Sequence, residues 1–131
     1  VRAEETGVAH LVLNRPDVLN ALDVALANAF RDAVEEVARW DGLRALVITG
    51  AGRAFVAGGD VAAFGSHVDR SADIVDALLD ALHPALVRLR GIDAPVIAAV
   101  KGVAAGAGLS LVLNADLVIA EEGARFVIAY D

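Results

Sequence analysis

Apolar positions along the chain alternate between two rhythms. Val8–Leu13 is a β-branched, apolar run closed by Asn14-Arg15-Pro16, which predicts a strand. Leu22, Leu26, Phe30, Val34 and Val37 then recur at helical spacing, with Ala25, Ala29 and Ala33 filling the same face. Asp23, Arg31, Asp32, Glu35 and Glu36 lie mostly off that face, so an amphipathic helix is expected over about residues 22–40, stopped by Asp41-Gly42. Residues 43–49 read as a second strand, a continuous apolar run of the kind found in a sheet buried on both faces. After a polar stretch at 66–71 a second helix is expected over 72–90, with Ile74, Leu78, Leu82, Ala85 and Leu89 as its stripe and a kink at Pro84. Ala94-Pro95 restarts the sheet at Val96–Val100; a short helix over 107–114, a strand at Leu117–Ala120, a turn at Glu121-Glu122-Gly123 and a last strand over 125–128 complete the pattern. Strands alternating with helices imply βαβ crossovers and a layered α/β fold, read as one domain over 1–131.

Composition narrows the classes. Hydrophobic residues make up 57 % of the chain and aromatics only 5 %, which excludes disorder and predicts a core of Ala, Val, Leu and Ile. So apolar a composition in 131 residues also predicts surface that something else covers, and a polypeptide that is not an active monomer by itself. The formal net charge of −7 argues against a nucleic-acid partner, so an anionic ligand has to be held by local donors. With no cysteine there is no disulfide, zinc-thiolate site or thiol nucleophile, which fits a reducing compartment. No apolar segment follows Val1-Arg2-Ala3-Glu4-Glu5 as in a signal peptide, and the apolar stretch over 103–120 is broken by Ser110, Asn114 and Asp116, so no membrane span is expected. Beginning at Val1 and stopping at Asp131 just after a strand-like run, the sequence reads as trimmed at both ends.

Two glycine-rich segments carry the chemistry: Ala54-Phe55-Val56-Ala57-Gly58-Gly59-Asp60 and Gly102-Val103-Ala104-Ala105-Gly106-Ala107-Gly108. Each follows an apolar β-like run and precedes a helix-like stretch. Such turns expose backbone N–H groups, and two convergent N–H donors are what an oxyanion needs. Asp60 is placed to cap a following helical turn, and the second segment opens a helix whose first N–H groups are unpaired. Ordinary tight turns and close helix-on-sheet packing would use the same residues.

Taken with Asn14-Arg15-Pro16-Asp17-Val18-Leu19-Asn20-Ala21-Leu22, these segments make the chain resemble the crotonase (enoyl-CoA hydratase/isomerase) superfamily, whose motifs come in this order and at roughly this spacing. The resemblance runs through essentially all 131 residues and covers the first half to two thirds of a typical member. It implies the ClpP/crotonase spiral core of repeated ββα units, here without the C-terminal helical part that in the family completes the active site and builds a homotrimer or hexamer. It further implies a cytoplasmic enzyme of fatty acid metabolism acting on an acyl-CoA thioester, with coenzyme A as part of the substrate and no separate cofactor. By the same resemblance the oxyanion-hole donors are the N–H groups of Gly59 and Ala107, the latter where many relatives carry glycine. Ala57, Gly58 and Asp60 would lie along the thioester, and backbone groups of Val18, Leu19 and Ala21 would meet adenine and pantetheine. Arg15, Arg53 and Lys101 are candidate phosphate partners, although each taken alone reads as a solvated charge.

Hydratases of the family use two glutamates to position and activate water. The resemblance sets Ser110 and Tyr130 at those positions, and neither is a carboxylate. A serine without an activating partner and a tyrosine with an ordinary pKa of about 10 are both poor bases. Enoyl-CoA double-bond isomerisation is therefore the preferred reaction; some isomerases of the family rely on a single acid lying further along than Asp131. The alternatives are an enoyl-CoA hydratase (a lyase), a non-catalytic acyl-CoA binder, or a Clp-like serine peptidase, which would need a histidine and an acid beside Ser110. Gly50-Ala51-Gly52-Arg53-Ala54-Phe55 lacks the last glycine of a dinucleotide fingerprint, and His10, His67 and His83 have no metal-ligand spacing, so no metal site is expected.

Overall fold

The computed structural model describes residues 1–4, 6–60 and 71–128. They form strands β1 (Arg2–Ala3), β2 (Val8–Leu13), β3 (Ala45–Gly50), β4 (Val96–Val100), β5 (Val103–Ala105), β6 (Leu117–Ala120) and β7 (Arg125–Val127), with helices α1 (Val24–Ala38), α2 (Ser71–Arg90) and α3 (Ala107–Leu113). One sheet has the order β1-β2-β3-β4-β6; β1 runs antiparallel on its edge and the other four strands are mutually parallel. Register pairs Ala9 with Leu46, Leu46 with Val96 and Ile97 with Leu117. A second, smaller layer is the parallel pair β5-β7, extended by single bridges between Val56 and Ala104 and between Leu22 and Gly59.

The helices arise as the periodicity predicts, with shifted detail. Asp23 is the N-cap of α1, its carboxylate accepting from Leu26 N–H at 2.7 Å, so the helix begins at Val24 and Leu22 precedes it. Ala27, Phe30, Val34 and Val37 are its buried face; Ala25 and Ala29, expected on that face, are exposed. α2 runs through Pro84 and buries Leu78, Ala81, Leu82, Ala85 and Leu89. It packs on α1, and Arg88 Nε lies 3.4 Å from Glu35 Oε1 across the pair. Each fully buried Val, Leu or Phe in this core contributes about 1.5–3 kcal/mol.

β3 is not buried on both faces. Leu46, Ile48 and Gly50 are buried while Ala45, Val47 and Thr49 are half-buried, and β2 and β4 alternate in the same way. The buried row joins the helices in one core. At the β6 edge the pattern reverses: Leu117, Val118 and Ile119 are 58, 45 and 65 % exposed, and Phe126 and Ile128 beside them 46 and 65 %. Apolar side chains on both faces of an edge strand thus meet solvent, the surface that the composition anticipates. Among the described residues no helix is long and apolar enough to cross a membrane, and no three acidic or histidine side chains are grouped to hold a metal ion.

Candidate active site

The chain after β2 folds on its own hydrogen bonds. Pro16–Val18 is a single 3₁₀ turn; Leu19 and Asn20 follow with φ of 55° and 58°, the left-handed region that side chains other than glycine and asparagine rarely enter. Asn20 holds this conformation from inside. It is fully buried, its Oδ1 accepts from Arg15 N–H at 2.8 Å, and its amide nitrogen lies 2.9, 3.0 and 3.1 Å from the carbonyl oxygens of Ala51, Ala54 and Phe55. Those carbonyls belong to the entry of the first glycine-rich segment, so one side chain joins the two.

Residues 19–22 then run alongside 57–60. Ala57 N–H donates to Leu19 O at 3.1 Å, Leu22 N–H to Gly58 O at 2.7 Å and Asp60 N–H to Leu22 O at 2.9 Å. This parallel alternation turns the N–H of Gly59 to the opposite side, where no acceptor meets it among the described residues. Gly58 has a φ of 102°, which a side chain would strain. Asp60 is buried to 9 % exposure and its Oδ2 receives Arg15 Nη2 at 3.1 Å; Arg15 Nη1 donates to Ala21 O at 2.8 Å and stands 3.5 Å from Asp23 Oδ2. Arg15, a candidate phosphate partner in sequence, is thus engaged by two carboxylates and a carbonyl of its own chain. The capping of a helical turn by Asp60 falls on residues 61–70, outside the described ones.

The second segment lies against the first. Val56 N–H donates to Val103 O at 3.2 Å and Ala105 N–H to Val56 O at 3.0 Å, which makes residues 103–105 a strand where the glycine pattern suggested only a turn. Gly106 precedes α3, whose N–H groups at Ala107 and Gly108 have no acceptor among the described residues; Ser110 N–H is the first to close a turn, onto Gly106 O. Beyond this end a cavity of about 430 Å3 is lined by Leu78 and Leu82 of α2, Ala107, Leu109, Ser110 and Leu113 of α3, and Ile128. Ser110 is among the residues that line this largely apolar cavity, and among the described residues no carboxylate lines it.

Most of the sequence candidates therefore meet. Ala57 is bonded to Leu19, Gly58 and Asp60 on either side of Gly59 to Leu22, and Arg15 links Asp60 to Ala21, while Val18 is exposed beside a cavity of about 320 Å3 lined by residues 14–18. Arg53 is exposed and Lys101 half-buried. Tyr130 and His67 lie outside the described residues. His83 is on the α2 surface, and His10, opposite Val47 in the sheet, pairs with Glu4 at 2.9 Å. Sequence reasoning missed the part of Asn20, although a buried asparagine after a proline turn is a legible signal, and it took Leu78 and Leu82 for core alone.

Residues 3–130 match the enoyl-CoA hydratase/isomerase family. The chain belongs to that family. It is 40 % identical over 129 residues to the 1,2-epoxyphenylacetyl-CoA isomerase of Escherichia coli, the match covering 96 % of this chain and 48 % of that protein. The crystal structure of an enoyl-CoA hydratase from Mycobacterium smegmatis superposes with a TM-score of 0.86 at 35 % identity, over 95 % of this chain and 48 % of that one. An enoyl-CoA hydratase from Polaromonas gives 0.85 at 34 %, again over 95 and 48 %. The architecture is the α/β crotonase fold in part, and the chain spans about half the length of these relatives. Both isomerase and hydratase names occur among them, so the family membership does not choose between the two reactions.

Proposed function

We propose that this chain supplies the oxyanion-binding half of an acyl-CoA enzyme, and that the enzyme shifts a double bond in an enoyl-CoA rather than hydrating it. The observation that carries the reading is the pair of backbone donors at Gly59 and Ala107: both lack acceptors among the described residues, and they stand on two segments hydrogen-bonded to each other through Val56. A thioester carbonyl between them would gain charge as an α-proton leaves, and both donors would strengthen as the enolate forms. Stabilisation that grows toward the transition state is what lowers a barrier. The apolar cavity beside Ala107 suits the acyl chain, and residues 14–22 suit the coenzyme A moiety as the family resemblance implies.

The preference for isomerisation rests on Ser110. Hydration needs one group to take a proton from water and another to give one, and among the described residues the cavity is lined by Ser110 and by no carboxylate. Moving a double bond needs only one group that removes a proton and returns it, which a residue outside the described lining can do. The test is a comparison of rates for the full-length protein on matched 2-enoyl- and 3-enoyl-CoA thioesters, with binding measured alongside. Faster isomerisation supports the reading. Faster hydration overturns the preference, and tight binding without turnover makes the protein a non-catalytic acyl-CoA binder.

A further inference from the structure

We propose that Arg15 is a positioning residue for the oxyanion donor at Gly59 and not a ligand for coenzyme A phosphate; the proposal rests on the acyl-CoA reading above. Gly59 sits in a stretch fixed from both ends. Upstream, the amide of Asn20 gathers the carbonyls of Ala51, Ala54 and Phe55. Downstream, Arg15 Nη2 reaches Asp60 Oδ2, in the residue next to Gly59. The guanidinium also donates to Ala21 O, one residue before the Leu22 backbone that brackets Gly59 through Gly58 O and Asp60 N–H. Arg15 N–H binds Asn20 Oδ1, so both anchors meet at one residue.

The reason an anchor is needed is conformational. Gly58 and Gly59 carry no side chain to limit their torsions, and Gly58 already sits at a φ of 102°. The peptide plane between the two glycines is held through Gly58 O by Leu22 N–H at 2.7 Å. The Gly59 donor therefore keeps its direction only as well as the Leu22 backbone and Asp60 are themselves held, and a donor that swings by tens of degrees loses most of its hydrogen bond. The planar fork of arginine fixes Asp60 and Ala21 in one geometry, which a flexible point charge does less well. Charge argues the same way. Asp60 at 3.1 Å and Asp23 at 3.5 Å oppose a phosphate approaching this guanidinium, which is 30 % exposed.

The test uses the full-length protein with an enoyl-CoA carrying carbon-13 at the thioester carbonyl, and the same enoyl group on N-acetylcysteamine, which has no nucleotide. Infrared difference spectra read how strongly the carbonyl is polarised; steady-state kinetics give kcat and KM. For Arg15→Gln the expected result is loss of most of the carbonyl shift and a fall in kcat of about 10- to 100-fold on both thioesters with little change in KM. Asp60→Asn should lose much of the same shift, and Arg15→Lys should recover part of it. Three results overturn the proposal: a loss confined to KM of the coenzyme A ester, which would make Arg15 a phosphate ligand; an unchanged shift with only a lower unfolding temperature, which would make it structural; or an Arg15→Gln protein that does not fold together with an Arg15→Lys protein that folds and shows no change in shift. A wild-type protein that binds the ester and leaves its carbonyl unshifted fails differently, since it removes the oxyanion reading itself.

Discussion

Gly108 lies so close to Val56 that a Cβ on the glycine would stand 2.9 Å from the Cβ of Val56 and collide with its carbonyl oxygen. That carbonyl accepts from Ala105 N–H, so the same point joins the start of α3, strand β5 and the first glycine-rich segment. The two donors proposed for one oxyanion are thereby carried on a single packed unit.

Gly108→Ala should consequently damage the site out of proportion to its size. The neighbour is backbone and cannot rotate away, so the cost is that of overpacking, about 1–3 kcal/mol. Denaturant unfolding measures that loss, and affinity for an acyl-CoA should fall with it. An alanine variant of unchanged stability would show that α3 can move off Val56 freely.

Asn20→Gly separates two effects at one position. Glycine accepts the φ of 58° as readily as asparagine, so only the side-chain bonds are removed. Three carbonyls of the buried loop lose their donor, and the expected destabilisation is at least about 2 kcal/mol by equilibrium unfolding. A near-neutral result would mean that water takes the place of the amide.

Much of this was legible before any coordinates, and the limits have physical causes. The helical stripes of Phe30, Val34 and Val37 and of Leu78, Leu82 and Leu89 are burial patterns, which period alone reveals. Strand β5 escaped because Val103-Ala104-Ala105 is too short to show a period between glycines, and its pairing partners, Val56 and residues 125–127, are distant in sequence. The half-burial of Val47 and Thr49 escaped because an apolar run reports preference for burial and cannot report what covers it. The glycine-rich segments of the proposed site were visible as motifs; the ion pair of Arg15 with Asp60 was not, since opposite charges 45 residues apart carry no local signal.

The β6 edge supports an expectation about solution behaviour. Leu117, Ile119 and Ile128 are more than half exposed, and a strand edge without a partner among the described residues that carries apolar side chains recruits other chain. The 131-residue polypeptide should show concentration-dependent association by sedimentation, reduced by Ile119→Lys. A monomer at all concentrations would show that this surface is tolerated as it stands.

Ser110→Glu should change the balance of reactions. The substitution sets a carboxylate into the cavity beside Ala107, where it can hold a water near the acyl chain. Hydration of a 2-enoyl-CoA should rise relative to isomerisation, by a ratio measured on the same protein so that stability losses cancel. No change in ratio would remove Ser110 as the reason for the preference.

The most discriminating substitution is Ala107→Pro. It deletes one N–H and little else, because proline at the first position of a helix replaces a donor that has no intrahelical acceptor. The residue before a proline is barred from the α region, and Gly106, at φ 54° and ψ −115°, lies outside it. The fold should therefore persist, with unfolding close to wild type. If Ala107 N–H is an oxyanion donor, turnover of an acyl-CoA should fall by about 10²- to 10³-fold, the effect of removing one such donor elsewhere. Ala107→Gly, which keeps the N–H, is the control and should retain activity. A folded proline variant with wild-type turnover would exclude Ala107 as a donor, whatever became of Gly59.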